Sequence, residues 1–346
     1  MTQGAGQEPA TRWETTPDTG VSTATVAPPS VEPTVPVAPP GEGASDAPPP
    51  YPAGPPPAVA APEPVAGTRG EEGTGPLWVV GDVHGYLDRL RAALREVGLI
   101  DAEDAWSGGT ARLWFLGDFT DRGPDGIGVI DLVMRLSAEA AAAGGYCKAL
   151  LGNHEVLLLG AHRFGDTPVD SGAGTASFRA AWMLNGGQAA DMERLCDHHV
   201  QWMSRLDSLA VVDGHLLLHS DTTAYLDRGA TPEDANETIK QVLLRQDPDE
   251  TWELFRDFTR RFAFRDEGGA QAARELLAAY GGERVVHGHS PIPYLTGEEP
   301  EPDPVDGAPA PRPRLPHVYA DDLAIAMDGG VTMDGPLLVV RLPLED

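Results

Sequence analysis

The chain has 346 residues and a formal net charge of −28, with 53 acidic residues against 25 lysines and arginines. This acidic excess argues against binding to nucleic acids or to anionic membranes, because both need basic patches that neutralise phosphates. The two cysteines, Cys147 and Cys196, are too few for a disulfide framework or a cysteine-rich metal site.

Residues 1–75 differ in composition from the rest of the chain. They hold 17 of the 33 prolines, no lysine and few large aliphatic side chains. Such a segment cannot bury enough apolar surface to offset the entropy lost on ordering, so we expect a disordered tail with polyproline character. The tail is also a candidate docking segment for a partner protein. The folded part should then span residues 76–346, which is enough for one sizeable α/β domain.

We find no targeting or membrane-spanning pattern in the sequence. The first residues, Met1 to Gln7, have neither a basic segment nor an apolar stretch of the kind found in signal peptides. No apolar run approaches the ~20 residues that a membrane-spanning helix needs. We therefore expect a soluble, cytoplasmic protein.

The folded part begins with three successive strand–helix units. Strands are predicted at 77–80, 112–116 and 147–151, and helices at 86–97, 124–142 and 156–160. Pro124 suits the first turn of its helix, and Gly98 closes the one before. Repeated strand–helix units in this order predict a parallel βαβ core.

The second half is predicted to hold a helical cap and further strands. Residues 161–206 contain helical patterns rich in tryptophan and methionine, including Trp182 and Trp202, which favour packing in an inserted cap over ligand binding. Asp213-Gly214 separates two apolar runs and predicts a hairpin. The loop 296–316, rich in proline and glutamate, is expected to be mobile. Strands are predicted at 209–212, 215–219, 284–287, 323–327 and 336–342, the last two completing a second sheet, and helices near 231–245, 251–263 and 270–280.

Polar residues follow several of these apolar runs at the point where each strand ends. They are Asp82, His84, Asp118, Asn153, His154, His219 and His289. Polar groups beyond the carboxyl ends of strands gather in one crevice of an α/β sheet. Carboxylates, imidazoles and an amide oxygen suit divalent cations such as Mn, Fe or Zn. A carboxylate such as Asp118 can bridge two ions about 3.5–4 Å apart, which share a hydroxide and a phosphate. The sequence therefore predicts a binuclear metal site.

The same residues carry a resemblance to a known family. Five segments of the chain resemble, in order, the motifs of the calcineurin-like metallophosphoesterase superfamily. They are Gly81-Asp82-Val83-His84-Gly85, Gly117-Asp118-Phe119-Thr120-Asp121-Arg122-Gly123, Gly152-Asn153-His154-Glu155, His219 and Gly288-His289-Ser290. The Asp-Arg-Gly and Asn-His-Glu forms resemble its phosphoprotein phosphatase family, with this chain as a bacterial member. The resemblance spans 77–342. It implies an α/β fold, a four-layer α/β/β/α sandwich of two mixed sheets flanked by helices, with the helical cap inserted.

The resemblance also implies a set of metal ligands. One ion would be held by Asp82, His84 and Asp118. Asp118 would bridge to a second ion, held also by Asn153, His219 and His289. At position 291, where distant relatives have another histidine ligand, this chain has Pro291. That difference favours the phosphatase-type members over the phosphodiesterase and nuclease branches.

Further residues would act on the substrate. His154 would be the general acid that protonates the leaving alkoxide, with Asp121 orienting it. Arg122 would clamp phosphate oxygens, because a guanidinium matches phosphate geometry. For a second phosphate-binding arginine we choose Arg265. The alternatives are Arg228 in that role, or Arg265 in an ion pair with Asp266 instead.

One motif departs from the family pattern. After the fourth strand the family usually has His-Gly-Gly or His-Ala-Gly, whereas this chain has His219-Ser220-Asp221. Asp221 either alters metal or substrate preference or simply forms a turn.

Together these observations predict a binuclear-metal phosphomonoesterase. A metal-bridging hydroxide would attack phosphorus in line, with manganese as the expected metal in vitro, and the substrate would be a phosphoprotein, most readily at serine or threonine. One alternative is a symmetrical dinucleoside tetraphosphatase or another small-phosphoester hydrolase, since bacterial tetraphosphatases share nearly all these motifs. The other is a non-catalytic interaction module that docks through its Pro-rich tail.

Overall fold

The computed structural model describes residues 75–172, 174–297 and 315–344. The predicted tail and most of the predicted loop 296–316 lie outside the described residues, so both remain predictions. The strands are β1 (Leu77–Val80), β2 (Arg112–Phe115), β3 (Tyr146–Ala149), β4 (Val169–Asp170), β5 (Thr175–Ala176), β6 (Leu209–Val212), β7 (His215–Leu218), β8 (Arg284–His287), β9 (His317–Tyr319), β10 (Ala324–Ala326) and β11 (Val339–Leu342). The helices are α1 (Leu87–Glu96), α2 (Gly126–Ala142), α3 (Asn153–Phe164), α4 (Phe178–Leu184), α5 (Ala189–Arg194), α6 (Asp197–Met203), α7 (Pro232–Arg245), α8 (Pro248–Thr259), α9 (Gly269–Tyr280) and α10 (Ile292–Thr296).

Two mixed sheets form the centre of the fold. The first has the order β11-β1-β2-β3, in which β1, β2 and β3 are parallel, as the strand–helix units predicted, and β11 is antiparallel to β1. The second has the order β6-β7-β8-β10-β9, with β7, β8 and β10 parallel and antiparallel strands at both edges. β4 and β5 form a separate two-stranded ribbon.

Each sheet packs on the other sheet with one face and on helices with the opposite face. Leu77 and Val79 of β1 share a buried cluster with Leu217 of β7 and Ile325 of β10, which joins the two sheets. Val80 points the other way, into the cluster that contains the apolar residues of α1 and α2. On the second sheet, α9 packs against β8. The arrangement confirms the predicted four-layer α/β/β/α sandwich. None of the helices in the described residues is both long and apolar enough to cross a bilayer.

The last strand joins a different sheet from the one predicted. The segment 336–342 was expected to complete the second sheet, but β11 pairs with β1 in the first, where Leu77 lies opposite Leu342. Apolar periodicity identifies a strand but does not say which sheet it joins. The ends of β1 and β10 also approach closely, because a Cβ on Gly81 would lie 2.0 Å from the carbonyl oxygen of Met327. Glycine is therefore required at this crossing.

Helix α3 is longer than the predicted 156–160. It begins at Asn153, and the Glu155 carboxylate accepts the N–H of Gly152 at its start. Gly160 lies inside the helix and does not end it. At this residue α4 packs closely against α3. A Cβ there would lie 2.1 Å from the Phe178 ring. Helix α3 thus extends into the segment 161–206, whose role as a cap remains a prediction. Four short elements, β4, β5, β9 and α10, were not predicted.

The predicted hairpin at Asp213-Gly214 is confirmed. β6 and β7 are antiparallel, and both turn residues have positive φ, 46° and 76°, as a two-residue type I′ turn requires. Asp213 also links the two sheets, since the Arg112 guanidinium of β2 donates to both of its carboxylate oxygens, at 2.9 and 2.5 Å.

Replacing Asp213 with asparagine should lower the free energy of unfolding at pH 7 by about 1 kcal/mol, because the buried guanidinium loses its charged partner. Asparagine tolerates the left-handed φ, so the turn itself should persist. The bond to Arg112 lowers the pKa of Asp213. The stabilisation is therefore complete above the unfolded pKa of about 3.9 and is lost as the pH falls through the lower folded pKa. Urea denaturation should show a difference between the two proteins that shrinks in acid. A difference independent of pH would contradict the ion pair.

Candidate metal centre

The carboxyl ends of β1, β2, β7 and β8, together with the start of α3, bring the predicted ligands into one buried cluster. None of the predicted ligands is more than 5% exposed: Asp82, His84, Asp118, Asn153, His219 and His289. Two groups have potential donor atoms within 4.8 Å of one another: His84, Asp118 and His154 in the first, and Asp118, His219 and His289 in the second. Asp118 belongs to both groups, which is the position that a bridging carboxylate takes.

The backbone at these strand ends is strained. His84, Asp118 and His289 have positive φ angles of 47°, 55° and 64°. Non-glycine residues in this region are uncommon, and they cluster where the surrounding structure holds them for a function. Here the turns after β1 and β2 hold each other, since the His84 N–H donates to the Asp118 carbonyl oxygen at 2.8 Å and Gly85 donates to Phe119 at 2.8 Å. The centre is thus held in place by the protein backbone itself.

Glu155 ties the turn after β2 to the start of α3. Its buried carboxylate accepts the N–H groups of Asp118, Phe119 and Gly152 at 2.9, 2.8 and 3.0 Å. Burial and the nearby Asp118 charge raise the pKa of Glu155 to about 8, while the three N–H groups favour its ionised form. In the sequence this residue is only the last member of the Gly-Asn-His-Glu motif. The structure adds that it anchors two of the turns that carry ligand candidates.

Two imidazoles present lone pairs to the centre. The Nδ1–H of His84 donates to the Thr120 carbonyl oxygen at 3.1 Å, and the Nδ1–H of His219 donates to that of Leu116 at 2.9 Å. Burial lowers the pKa of both histidines. Each ring is therefore neutral, with its proton on Nδ1 and a lone pair on Nε2.

The lone pair of His84 Nε2 lies 3.5 Å from Asp118 Oδ2 and accepts a hydrogen bond from the Arg122 guanidinium at 2.7 Å. His219 Nε2 lies 3.2 Å from Asp118 Oδ1 and 2.9 Å from Asn153 Oδ1. The acceptors around His219 have no proton between them and repel one another, and a cation removes that repulsion. Nitrogen and oxygen donors of these types fit a divalent metal such as Mn, Fe or Zn.

Two further carboxylates add negative charge to the cluster. Asp82 accepts the His289 N–H on both oxygens, each at 3.0 Å. Burial, and then the charges of Asp328 and Asp118, raise the pKa of Asp82 well above its usual value. Burial likewise raises the pKa of Asp328 to about 6. Asp328 was missed in the sequence, although it follows the apolar run 323–327 just as Asp82 follows the first strand.

The predicted general acid and its partners lie at the edge of this cluster. His154 Nδ1–H donates to Asp121 Oδ2 at 2.7 Å, and both residues are buried. The Arg122 guanidinium donates to His154 Nε2 at 3.0 Å and to His84 Nε2 at 2.7 Å. Asp121 and Arg122 also have positive φ, 69° and 67°. The structure thus brings these residues together beside the metal-ligand candidates, while their roles in the reaction remain predictions.

Arg265 makes hydrogen bonds with two residues that are not ligand candidates. Its Nε donates to Asp266 at 3.1 Å and its Nη1 to the Tyr294 carbonyl oxygen at 3.1 Å. The ion pair with Asp266 that was weighed as the alternative is therefore present. The rival arginine, Arg228, is paired with Asp257.

The positive charge of a different arginine, Arg261, affects the pKa of two metal-ligand candidates. Burial is the largest cause that lowers the pKa of His219 and His289, and the positive charge of Arg261 adds to it. The same charge acts on Asp328. No motif pointed to Arg261, which lies after α8 with its guanidinium 5.9 Å from the centre of the Phe262 ring.

The buried carboxylate of Asp221 is fully engaged. It accepts the Ser290 hydroxyl at 2.6 Å and the Phe262 N–H at 2.7 Å. Asp221 therefore holds the turn after β8 to the segment that follows α8. The Asp221 carboxylate thus links distant segments, and both alternatives for the departure at His219-Ser220-Asp221 remain predictions.

A third group of potential donors lies away from the centre, at the start of α6. It consists of Cys196, His198 and His199. His199 Nδ1 accepts the Cys196 N–H at 3.0 Å, and its Nε2 donates to Asp131 at 2.9 Å. Since both nitrogens of this buried ring are engaged, the group serves as a helix cap.

The comparison with protein families decides the assignment. Residues 75–293 match the calcineurin-like phosphoesterase family. The chain belongs to this family. The match confirms the resemblance drawn from the strand-end motifs, and it covers both sheets except for β9, β10 and β11.

Curated relatives of this calcineurin-like phosphoesterase include two kinds of enzyme. Shewanella-like protein phosphatase 2 of Arabidopsis thaliana is 38% identical over 81 residues, which are 23% of this chain and 21% of that protein. The symmetrical bis(5′-nucleosyl)-tetraphosphatase of Bordetella parapertussis is 29% identical over 170 residues, 49% of this chain and 51% of that protein. The matches thus span about half or less of these relatives.

Solved structures support the fold. The cold-active protein-tyrosine phosphatase of a psychrophilic Shewanella species superposes with a TM-score of 0.56 at 19% identity, over 78% of this chain and 75% of that one. At this level of identity the likeness concerns the fold alone, and it agrees with the two-sheet sandwich described above.

Proposed function

We propose that this calcineurin-like phosphoesterase is a hydrolase that cleaves phosphate monoesters with two divalent metal ions, and that its substrates are phosphoproteins, chiefly at serine or threonine. The observation that supports this most is the position of Asp118. Its two carboxylate oxygens face His84 and His219 on opposite sides, and the His154–Asp121 pair lies beside it.

The six predicted ligands would hold the metals as the family resemblance implies. Bound ions supply a water of lowered pKa as nucleophile and stabilise the charge of the reacting phosphate. As an imidazolium, with its Nδ1–H on Asp121, His154 would give the Nε2 proton to the leaving alkoxide, which requires Arg122 to leave that nitrogen first. The Arg122 guanidinium, now on His84 and His154, would bind phosphate oxygens.

Two arginines are candidates for a second contact with the phosphate. Arg265, chosen from the sequence, remains a prediction and must leave Asp266 and Tyr294 to reach a substrate. We add Arg261, whose charge already acts on His219 and His289. Replacing each arginine with alanine in turn would separate them, since the arginine that binds phosphate is the one whose loss raises KM.

A second candidate function is hydrolysis of dinucleoside tetraphosphates or other small phosphate esters. It is favoured by the relative in Bordetella parapertussis, whose match covers more of this chain than that of the plant phosphatase. A non-catalytic module has less support, because the described residues keep the whole predicted set of ligands together with the acid. The cytoplasmic location and a partner for the tail remain predictions.

The test is a substrate comparison on the full chain with added manganese. It would measure phosphate release from phosphoserine, phosphothreonine and phosphotyrosine peptides, p-nitrophenyl phosphate and diadenosine tetraphosphate. We expect the highest kcat/KM on phosphopeptides. A preference for diadenosine tetraphosphate would favour the second candidate, and no hydrolysis of any ester would leave the non-catalytic module. An Asp118→Asn protein purified in the same way reports any contaminating phosphatase.

Metal removal should lower the stability of the protein. A cation offsets the repulsion among the buried carboxylates of Asp82, Asp118 and Asp328. At about 100 times its dissociation constant a ligand adds about 2.7 kcal/mol, which corresponds to about 5–10 °C in Tm for a domain of this size. Thermal unfolding in manganese and in EDTA would measure the shift. Equal values of Tm would contradict a metal site among these residues.

A further inference from the structure

The indole of Trp182 reaches from α4 to the predicted catalytic pair. Its Nε1–H donates to Asp121 Oδ1 at 2.7 Å, and the bond is buried. The other oxygen of the same carboxylate, Oδ2, accepts from His154 Nδ1–H at 2.7 Å. One oxygen of Asp121 thus accepts from the predicted acid, His154. The other accepts from Trp182, for which the sequence predicted only a packing role.

The turn that follows α4 is attached to the same segment. The Arg122 N–H donates to the Gly186 carbonyl oxygen at 2.7 Å. Gly187 lies flat against the Trp182 ring, where a Cβ would come within 2.3 Å of its atoms. Two consecutive residues of the predicted site, Asp121 and Arg122, are therefore both held by α4 and the turn after it.

A carboxylate with one fixed partner can still rotate about its Cβ–Cγ bond, whereas a donor on each oxygen fixes its plane. Outer hydrogen bonds of this kind orient the groups that act directly, and their loss typically costs about 10–100-fold in activity. We propose that Trp182 is a positioning residue, which fixes the Asp121 carboxylate so that His154 is aimed at the leaving oxygen. This inference rests on the proposed function.

The chain offers a tryptophan that packs nearby without such a bond. Trp252 of α8 is as buried as Trp182, at 5% and 6% exposed, and its ring lies 5.0 Å from that of Phe178 in α4. Its Nε1 has no hydrogen-bond partner in the described part of the chain. Replacement of Trp252 by phenylalanine therefore removes an indole beside the same helix without removing a hydrogen bond.

The experiment compares two leaving groups in the full-length Trp182→Phe and Trp252→Phe proteins. The alkoxide of a phosphoserine peptide needs a proton as it leaves, whereas the p-nitrophenolate of p-nitrophenyl phosphate does not. For Trp182→Phe we expect kcat on the peptide to fall about 10–100-fold. The KM for the peptide, and the kcat on p-nitrophenyl phosphate, should stay within about twofold of the wild-type values. For Trp252→Phe we expect the ratio of the two kcat values to be unchanged. Equal loss on both substrates, or none, in Trp182→Phe would overturn the inference.

Two further measurements separate positioning from packing. Placing 3-benzothienylalanine at position 182 keeps the shape of the bicyclic ring and removes only the N–H donor, so it should lower the kcat ratio as phenylalanine does. In an Asp121→Asn background, Trp182→Phe should cost no more than about twofold, because residues that act through one another are not additive. A normal ratio with the isostere, or full additivity, would also overturn the inference. A wild type that hydrolyses neither ester would instead refute the proposed function.

Discussion

Replacing Asp118 with asparagine should lower kcat/KM on every phosphate ester by about a thousand-fold or more. A bound metal contributes several kcal/mol to the transition state, and each 1.36 kcal/mol corresponds to about tenfold in rate. Asp118 faces both groups of ligand candidates, through Oδ2 to His84 and through Oδ1 to His219. The neutral amide removes the charge between them, so we also expect fewer than two metal ions per chain. Metal analysis of the purified protein, together with steady-state kinetics, would measure both effects.

The fold should survive this change. The His154 N–H donates to Asp118 Oδ1 at 3.0 Å, and the amide oxygen of asparagine can accept the same bond. The matched control is Asp88→Asn on α1, where the aspartate side chain is 97% exposed. Both its metal content and its activity should equal those of the wild type. Full metal loading with normal activity in Asp118→Asn would refute the bridging role.

Replacing Glu155 with glutamine should cost about 2–3 kcal/mol of unfolding free energy, because a buried donor left without an acceptor costs about 1–3 kcal/mol. The amide oxygen can replace Oε2, which accepts from Asp118 and Gly152. The amide nitrogen would then face the N–H of Phe119, where Oε1 now accepts. Two donors would therefore point at each other in a buried site.

Urea denaturation in EDTA isolates this cost from metal binding. Glu253→Gln is the matched control, since Glu253 is exposed on α8 and its loss should change stability by no more than about 0.5 kcal/mol. Equal shifts of the unfolding midpoint in both variants would contradict the anchoring role of Glu155.

Local patterns were enough to indicate which residues would lie together in the candidate site. Asp82, His84 and Asp118 were recognised because each follows an apolar run, and parallel strands bring such positions to one edge. The same rule covers Asp328, which we overlooked although its position after 323–327 met the rule. The order of β1, β2 and β3 was also predictable, because it depends on strand–helix units that are continuous in sequence.

The features that could not be predicted depend on contacts between distant segments. Trp182 lies 61 positions from Asp121 in the chain, and its stripe of tryptophan and methionine has the ordinary pattern of packing. The charge of Arg261 acts on His219 and His289 because the neighbouring Phe262 and Ala263 N–H groups bind Asp221, far away in the sequence. The pairing of β11 with β1 likewise joins the two ends of the folded part, which no local pattern encodes.

That pairing determines when the first sheet can be completed. β1 is synthesised before β11, which emerges only after His219 and His289, the candidate ligands of the second sheet. The Gly81 N–H, at the entrance to the first ligand turn, donates to the Leu338 carbonyl oxygen just before that strand. Contacts so distant in sequence slow folding. The nascent chain therefore carries Asp82 and His84 beside an open sheet edge until Val339–Leu342 has been synthesised, and only then can the turn after β1 reach its final form.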